Sequence, residues 1–207
     1  ILIAGFGTSQ PSGLADLEHV DQLVSDRYPD HEVRWALTSG FILKKLRAGG
    51  METLFSRQVP LRNLAEAYAD LRADGKTDVV VQPLLTVTGS EYADLMMTPT
   101  DGLNVAYGYP LLAPPDNTAK LARALEPGFG AADTLTLICC HGNAKIPLLN
   151  VPLLQLDKYV RKHYQNVFVT SLDGPPGTEA AFADVKASGL GKVIFLPFLF
   201  TTGEHVV

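Results

Sequence analysis

Short apolar runs alternate with segments of helical periodicity along the whole chain, and this alternation restricts the fold more than any other feature. Residues 1–6 read as a buried strand entering the loop Gly5-Phe6-Gly7-Thr8-Ser9. A helix is expected from Ser12, its N-cap, with Leu14, Leu17, Val20 and Leu23 on one face. A strand at 32–37 precedes a helix at 38–46, broken by Gly49-Gly50, and Pro60 is expected to start a helix carrying Leu61, Leu64, Tyr68 and Leu71. Residues 78–85 are continuous in Val and Leu and predict a strand buried on both faces. A short helix after Gly89, a strand at 103–107 and a helix at 118–125 follow. Strands at 134–140, 167–171 and 192–198 then alternate with helices at 148–164 and 177–187. This order implies parallel sheets.

The chain also repeats itself. Pro83-Leu84-Leu85-Thr86-Val87-Thr88-Gly89 resembles Pro197-Phe198-Leu199-Phe200-Thr201-Thr202-Gly203 at an offset of 114 residues (83 to 197, 89 to 203), while Gly7 matches Gly142 at an offset of 135. The first half therefore carries about 21 extra residues, placed around 46–60. The reading is an α/β fold of two duplicated lobes, residues 1–131 and 132–207, facing each other across a cleft. Their sites are expected beyond the carboxyl ends of the strands. The chain ends within four residues of Gly203, so the second lobe is expected to be truncated and the natural protein to continue past Val207. It also begins at Ile1 inside a strand, so preceding residues are expected, a removed signal peptide being one option.

A formal net charge of −5 argues against a nucleic-acid partner. No apolar run reaches the roughly 18 residues a membrane span needs. Cys139 and Cys140 are neighbours, so they point to opposite faces of a strand and form no disulfide framework; buried packing is their expected role. That usage fits a reducing, cytoplasmic compartment, with export left open by the start at Ile1. Of five histidines, His19, His31 and His163 read as surface residues. His141 and His205 differ: each follows an apolar strand and stands near glycine, in Cys140-His141-Gly142 and Gly203-Glu204-His205. Imidazoles take divalent first-row ions, and Asp173, ending another strand, offers a carboxylate. No CxxC or HExxH spacing is present, so the residues alone leave a structural role for this trio open. The Gly5–Ser9 loop lacks phosphate-loop spacing and reads as a tight turn. Arg34, Lys44, Lys45 and Arg47 are either a solvated face or a clamp for a polycarboxylate.

Over nearly its whole length the chain resembles the anaerobic sirohydrochlorin cobaltochelatases, a class II chelatase family of cobalamin biosynthesis. The stretches that carry the resemblance are Phe6-Gly7-Thr8-Ser9, then Arg34-Trp35-Ala36-Leu37-Thr38-Ser39-Gly40 with Lys45-Leu46-Arg47, then Val81-Gln82 with Gly89-Ser90-Glu91-Tyr92, then His141-Gly142, Leu196-Pro197 and Gly203-Glu204-His205. The resemblance implies two Rossmann-like lobes holding a tetrapyrrole. It implies a metal held by His141, Asp173 and His205, with His141, His205 and Glu91 as catalytic groups and Glu204 as a further proton relay. Asp173 stands where the family usually has glutamate, and Leu85 where many relatives carry histidine.

The implied reaction exchanges two pyrrole protons for a divalent ion, Co2+ first, with Fe2+ or Ni2+ as alternatives and no nucleotide. The implied partner is the tetrapyrrole, with no nucleic acid and no membrane; homo-oligomer formation is left open. Competing readings are a non-catalytic tetrapyrrole or metal carrier and an α/β binding protein with incidental histidines.

Overall fold

Leu2, Ile3, Ala4 and Gly5 form β1 (Leu2–Gly5), buried along its length at the heart of the first sheet. The computed structural model describes residues 1–201. In chain order β1 is followed by α1 (Pro11–Arg27), β2 (Arg34–Leu37), α2 (Gly40–Ala48), the pair β3 (Thr53–Leu54) and β4 (Val59–Pro60), α3 (Leu64–Ala73), β5 (Asp78–Leu84), α4 (Ser90–Met97) and β6 (Asn104–Tyr107). These elements make one unit, Ile1–Pro110, whose main sheet has the order β2-β1-β5-β6, all parallel. A second unit, Leu111–Leu199, contains α5 (Asn117–Leu125), β7 (Thr134–Gly142), α6 (Val151–His163), β8 (Val167–Asp173), α7 (Thr178–Ser188) and β9 (Lys192–Pro197). Its parallel sheet has the order β8-β7-β9. Both units are Rossmann-like, and no helix of the described residues is long and apolar enough to cross a membrane.

Strand pairing carries the duplication to the level of single residues. Leu2 pairs with Val81 and Ile3 with Gln82; in the second unit Leu137 pairs with Phe195 and Ile138 with Leu196. The offsets are 135 on the central strand and 114 on its neighbour, the two values of the sequence repeat. On the other side, Leu2 pairs with Arg34 and Leu137 with Phe168. The same register thus runs through both sheets, and the extra residues of the first half hold the β3–β4 pair.

Two expected helix starts and one expected burial pattern differ in the structure. Helix α1 starts at Pro11 after Gln10, not after a Ser12 cap, because proline at the first position has no N–H to satisfy. Pro60 does not begin a helix; it lies in β4, opposite Thr53. Helix α3 starts instead after Asn63, whose side chain accepts from the Glu66 backbone N–H while Glu66 accepts from the Asn63 N–H, a reciprocal cap. Strand β5 is buried on one face only. Val79 and Val81 pack with Leu64, Tyr68 and Leu71 of α3, whereas α1 and α2 cover Ile3, Trp35 and Leu37 and leave Val80 51% exposed. A strand is buried on both faces only where helices cover both.

One polar network ties helix to sheet inside the first unit. Asp21 of α1 is 2% exposed and accepts from Trp35 Nε1–H at 2.8 Å and from Arg57 Nε and Nη2 at 2.7 and 2.6 Å. Removing the carboxylate leaves a buried indole N–H without its acceptor and strands Arg57. Asp21→Ala is therefore expected to lower stability by about 3 kcal/mol, the low end for a broken buried pair because Arg57 can still reach water. Trp35 is the sole tryptophan, so denaturant unfolding followed by its emission reads this effect directly. An unchanged midpoint would show that the network contributes nothing.

Candidate metal centre

Strand β7 ends on Cys140-His141-Gly142 at the middle of its sheet. The connection from β7 to β8 runs through α6 and that from β8 to β9 through α7. Because β8 and β9 flank β7 on opposite sides, the strand order reverses at β7, and crevices at such switch points are where open parallel sheets bind ligands. His141 stands at that point.

Asp173 is brought to the same place by register, since Gly142 pairs with Asp173 at the ends of β7 and β8. His141 Nδ1 lies 4.0 Å from Asp173 Oδ2, and the two side chains are 54% and 52% exposed, open to an incoming ligand. His141 Nδ1 is also 3.0 Å from the Gly142 carbonyl. A carbonyl only accepts, so in this contact Nδ1 carries the proton and Nε2 the lone pair that can meet a metal. In the other tautomer, with the proton on Nε2, Nδ1 itself has the lone pair, and its 4.0 Å from Asp173 Oδ2 lies within the span of up to about 4.2 Å that two ligands, each about 2.1 Å from one ion, can bridge.

Two glycines allow the strand ends to come this close. Gly142 has φ +79°, and a Cβ there would overlap the Asp173 carbonyl oxygen and lie 2.8 Å from Ser171 Cβ. Gly174 has φ +72°, and a Cβ there would lie 2.6 Å from the Asn143 oxygen. The turn after Asp173 is pinned by Ser171, whose hydroxyl donates to Gly174 O at 2.6 Å and Pro176 O at 3.1 Å, with its N–H also bonded to Pro176 O. Asn150 donates from Nδ2 to both Asn143 O and Asp173 O at 3.1 Å. Neither Ser171 nor Asn150 was singled out in the sequence: Ser171 closes the expected strand at 167–171, and Asn150 falls in the first turn of the expected helix at 148–164, while its acceptor at Asp173 lies 23 residues away.

Other expected residues fall as follows. Glu91 lies in the first turn of α4 in the first unit, half-buried, and accepts from the Ser90 hydroxyl at 3.1 Å. His205 and Glu204 lie outside the described residues. Among the described residues no group of three or more His, Cys, Asp or Glu side chains is placed to hold an ion, so His141 and Asp173 stand as a pair. Burial pushes the Cys139 thiol up and the Cys140 thiol up to about 12, which keeps both protonated and fits packing rather than ligation. Arg34 is paired with Glu32 and Asp74, and Arg47 with Glu66, while Lys44 and Lys45 of the basic cluster are exposed. His19, His31 and His163 are exposed. Ile146 and Leu148, shortly after His141, and Leu172, beside Asp173, are at least half exposed. Apolar side chains near a polar pair of this kind suit a bound molecule with a broad apolar face.

A family model described as cobalt chelatase (CbiK) matches residues 1–207. The chain is 27% identical over 214 residues to the sirohydrochlorin cobaltochelatase CbiKC of Nitratidesulfovibrio vulgaris (Hildenborough), an alignment covering 99% of this chain and 72% of that protein. It is 22% identical over 214 residues to the sirohydrochlorin cobaltochelatase of Salmonella typhimurium, covering 100% of this chain and 78% of that protein.

Proposed function

This chain belongs to the cobalt chelatase (CbiK) family and is a metal chelatase, and from that premise we propose that it inserts Co2+ into sirohydrochlorin. The observation that carries the site is the His141–Asp173 pair at the switch point of the second sheet. In this reading the imidazoles of His141 and His205 hold the ion, Asp173 shares it, and Glu91 accepts a proton. Imidazole suits a divalent first-row ion, and a carboxylate adds charge that draws the ion from water.

The balance is simple. One Co2+ enters the macrocycle and two pyrrolic N–H protons leave, so the metallated ring carries no net charge change beyond its side chains. Each proton needs an acceptor near the ring nitrogens, and a positioned base contributes about 10²–10⁴-fold to such a step. The Gly142 carbonyl and Asp173 both lie on the Nδ1 side of the His141 ring, so the tautomer decides which nitrogen presents its lone pair to the ion. The exposed Ile146, Leu148 and Leu172 supply apolar contact for the flat face of the substrate.

Cobalt insertion followed by absorbance tests this with full-length protein, Co2+ and sirohydrochlorin. Multiple turnovers with release of metallated product are the expected result. Tight tetrapyrrole binding with no rate above the spontaneous reaction would make the protein a carrier. Faster insertion of Fe2+ or Ni2+ than of Co2+ would keep the chelatase and change its ion.

A further inference from the structure

We propose that Asn150 is a positioning residue, holding the two ligand-bearing loops of the metal centre at the spacing that lets Asp173 meet an ion bound at His141. The proposal rests on the reading of His141 and Asp173 as ligands.

Asn150 is 1% exposed and stands immediately before α6. An asparagine there ordinarily turns its side chain back onto the first N–H groups of the helix. This one makes no capping bond. Its Nδ2 reaches sideways, donating at 3.1 Å to the carbonyl of Asn143, two residues beyond His141, and at 3.1 Å to the carbonyl of Asp173 itself. A primary amide nitrogen carries two protons, and both are used here, one on each loop. No hydroxyl or carboxylate of similar size can do this. The approach is crowded enough to require glycine: a Cβ on Gly174 would lie 2.7 Å from Asn150 Nδ2. Ser171 fixes the same turn from the other side through Gly174 O and Pro176 O.

Spacing decides whether this carboxylate can act. Aspartate has a single methylene, so its reach is set almost wholly by where its backbone is held. With the loops clamped, Asp173 Oδ2 lies 4.0 Å from His141 Nδ1, inside the span of up to about 4.2 Å that one ion can bridge when the ring proton is on Nε2 and Nδ1 offers its lone pair. A glutamate on the same backbone would extend about 1.5 Å further and overshoot. Clamp and aspartate are therefore a matched pair, and loosening the clamp should create a need for the longer acid.

The test uses full-length protein with Co2+ alone as the probe, reading affinity and the cobalt d–d bands by titration. Asn150→Ala is expected to weaken Co2+ binding by about 10–100-fold, as loss of outer partners of metal ligands does, with shifted bands. Asp173→Glu alone is expected to weaken binding as well. The double variant is expected to bind Co2+ more tightly than Asn150→Ala. A purely structural defect would not be rescued by a longer carboxylate. Gly174→Ala crowds the same amide and should behave like Asn150→Ala, and it carries the test if Asn150→Ala does not fold. Parental affinity and bands in Asn150→Ala and Gly174→Ala, or no rescue in the double variant, would overturn the proposal. Unchanged Co2+ binding in His141→Ala would instead overturn the ligand reading, and this proposal with it, before any Asn150 variant is needed.

Discussion

His141→Ala is expected to lower the rate of Co2+ insertion into sirohydrochlorin by about 10²–10⁴-fold, a loss of about 3–5 kcal/mol of transition-state stabilisation. The side chain stands at the carboxyl end of the central strand of its sheet, half exposed, 4.0 Å from the carboxylate of Asp173, which register brings to that strand end. Little of the core depends on it, so the melting temperature should stay near that of the parent, as for most exposed substitutions. That contrast is the useful part. A chelatase that keeps its fold and loses both Co2+ affinity and turnover has lost a ligand. One that keeps turnover never used His141 at the metal. Steady-state kinetics and a Co2+ titration on the same preparation separate the two. His205→Ala belongs beside it as the second imidazole of the proposed set.

Gly142→Ala is expected to cost more than about 3 kcal/mol of stability, among the larger values for a single substitution. A non-glycine residue in the left-handed region costs roughly 1–2 kcal/mol by itself. At Gly142 (φ +79°) the added methyl also runs into the Asp173 carbonyl and lies 2.8 Å from Ser171 Cβ, so the ends of β7 and β8 must part. Gly50 supplies the control. Its φ is +82°, almost the same, yet nothing lies within 4 Å of an added Cβ. Gly50→Ala should show the backbone term alone. For a chain of this size each kcal/mol moves the melting temperature by about 2–4 °C, so calorimetry resolves the two. Equal shifts would mean that the strand ends do not approach as closely as described. A shift in Gly142→Ala accompanied by loss of Co2+ binding would tie the close approach to ligand geometry.

Much of the architecture was legible because it is local or periodic. The alternation of apolar runs and amphipathic stretches locates the strands. The repeat offsets of 135 and 114 reappear as the pairing of Leu2 with Val81 and of Leu137 with Phe195. Boundaries were less legible where two local signals compete. Pro60 looked like a helix start, but Asn63 and Glu66 form the stronger one by capping each other. One-sided burial of β5 could not be read from a run of valines, since it depends on how far α1 and α2 extend over the sheet. At the candidate site, His141 was singled out by its place after an apolar strand. Asn150 was not, because its two acceptors, Asn143 and Asp173, lie on separate loops and only the folded chain brings them to one side chain.

Ser39 and Asp173 occupy matching places, each at the strand end next to a glycine of positive φ, Gly7 and Gly142. Ser39 uses its side chain to accept from the Ile42 N–H and so closes the first turn of α2. In the second unit Gly174 to Gly177 intervene before α7, which begins without any side-chain cap. A cap contributes about 1 kcal/mol to a helix start, and the second unit does without it, its Asp173 carboxylate facing His141 instead. An ion held by Asp173, as proposed, would add its own stabilisation to that unit, about 2.7 kcal/mol at a hundredfold excess over its dissociation constant. Cargo then does in one half what a hydroxyl does in the other, and that contribution leaves with the ion when it passes to the macrocycle.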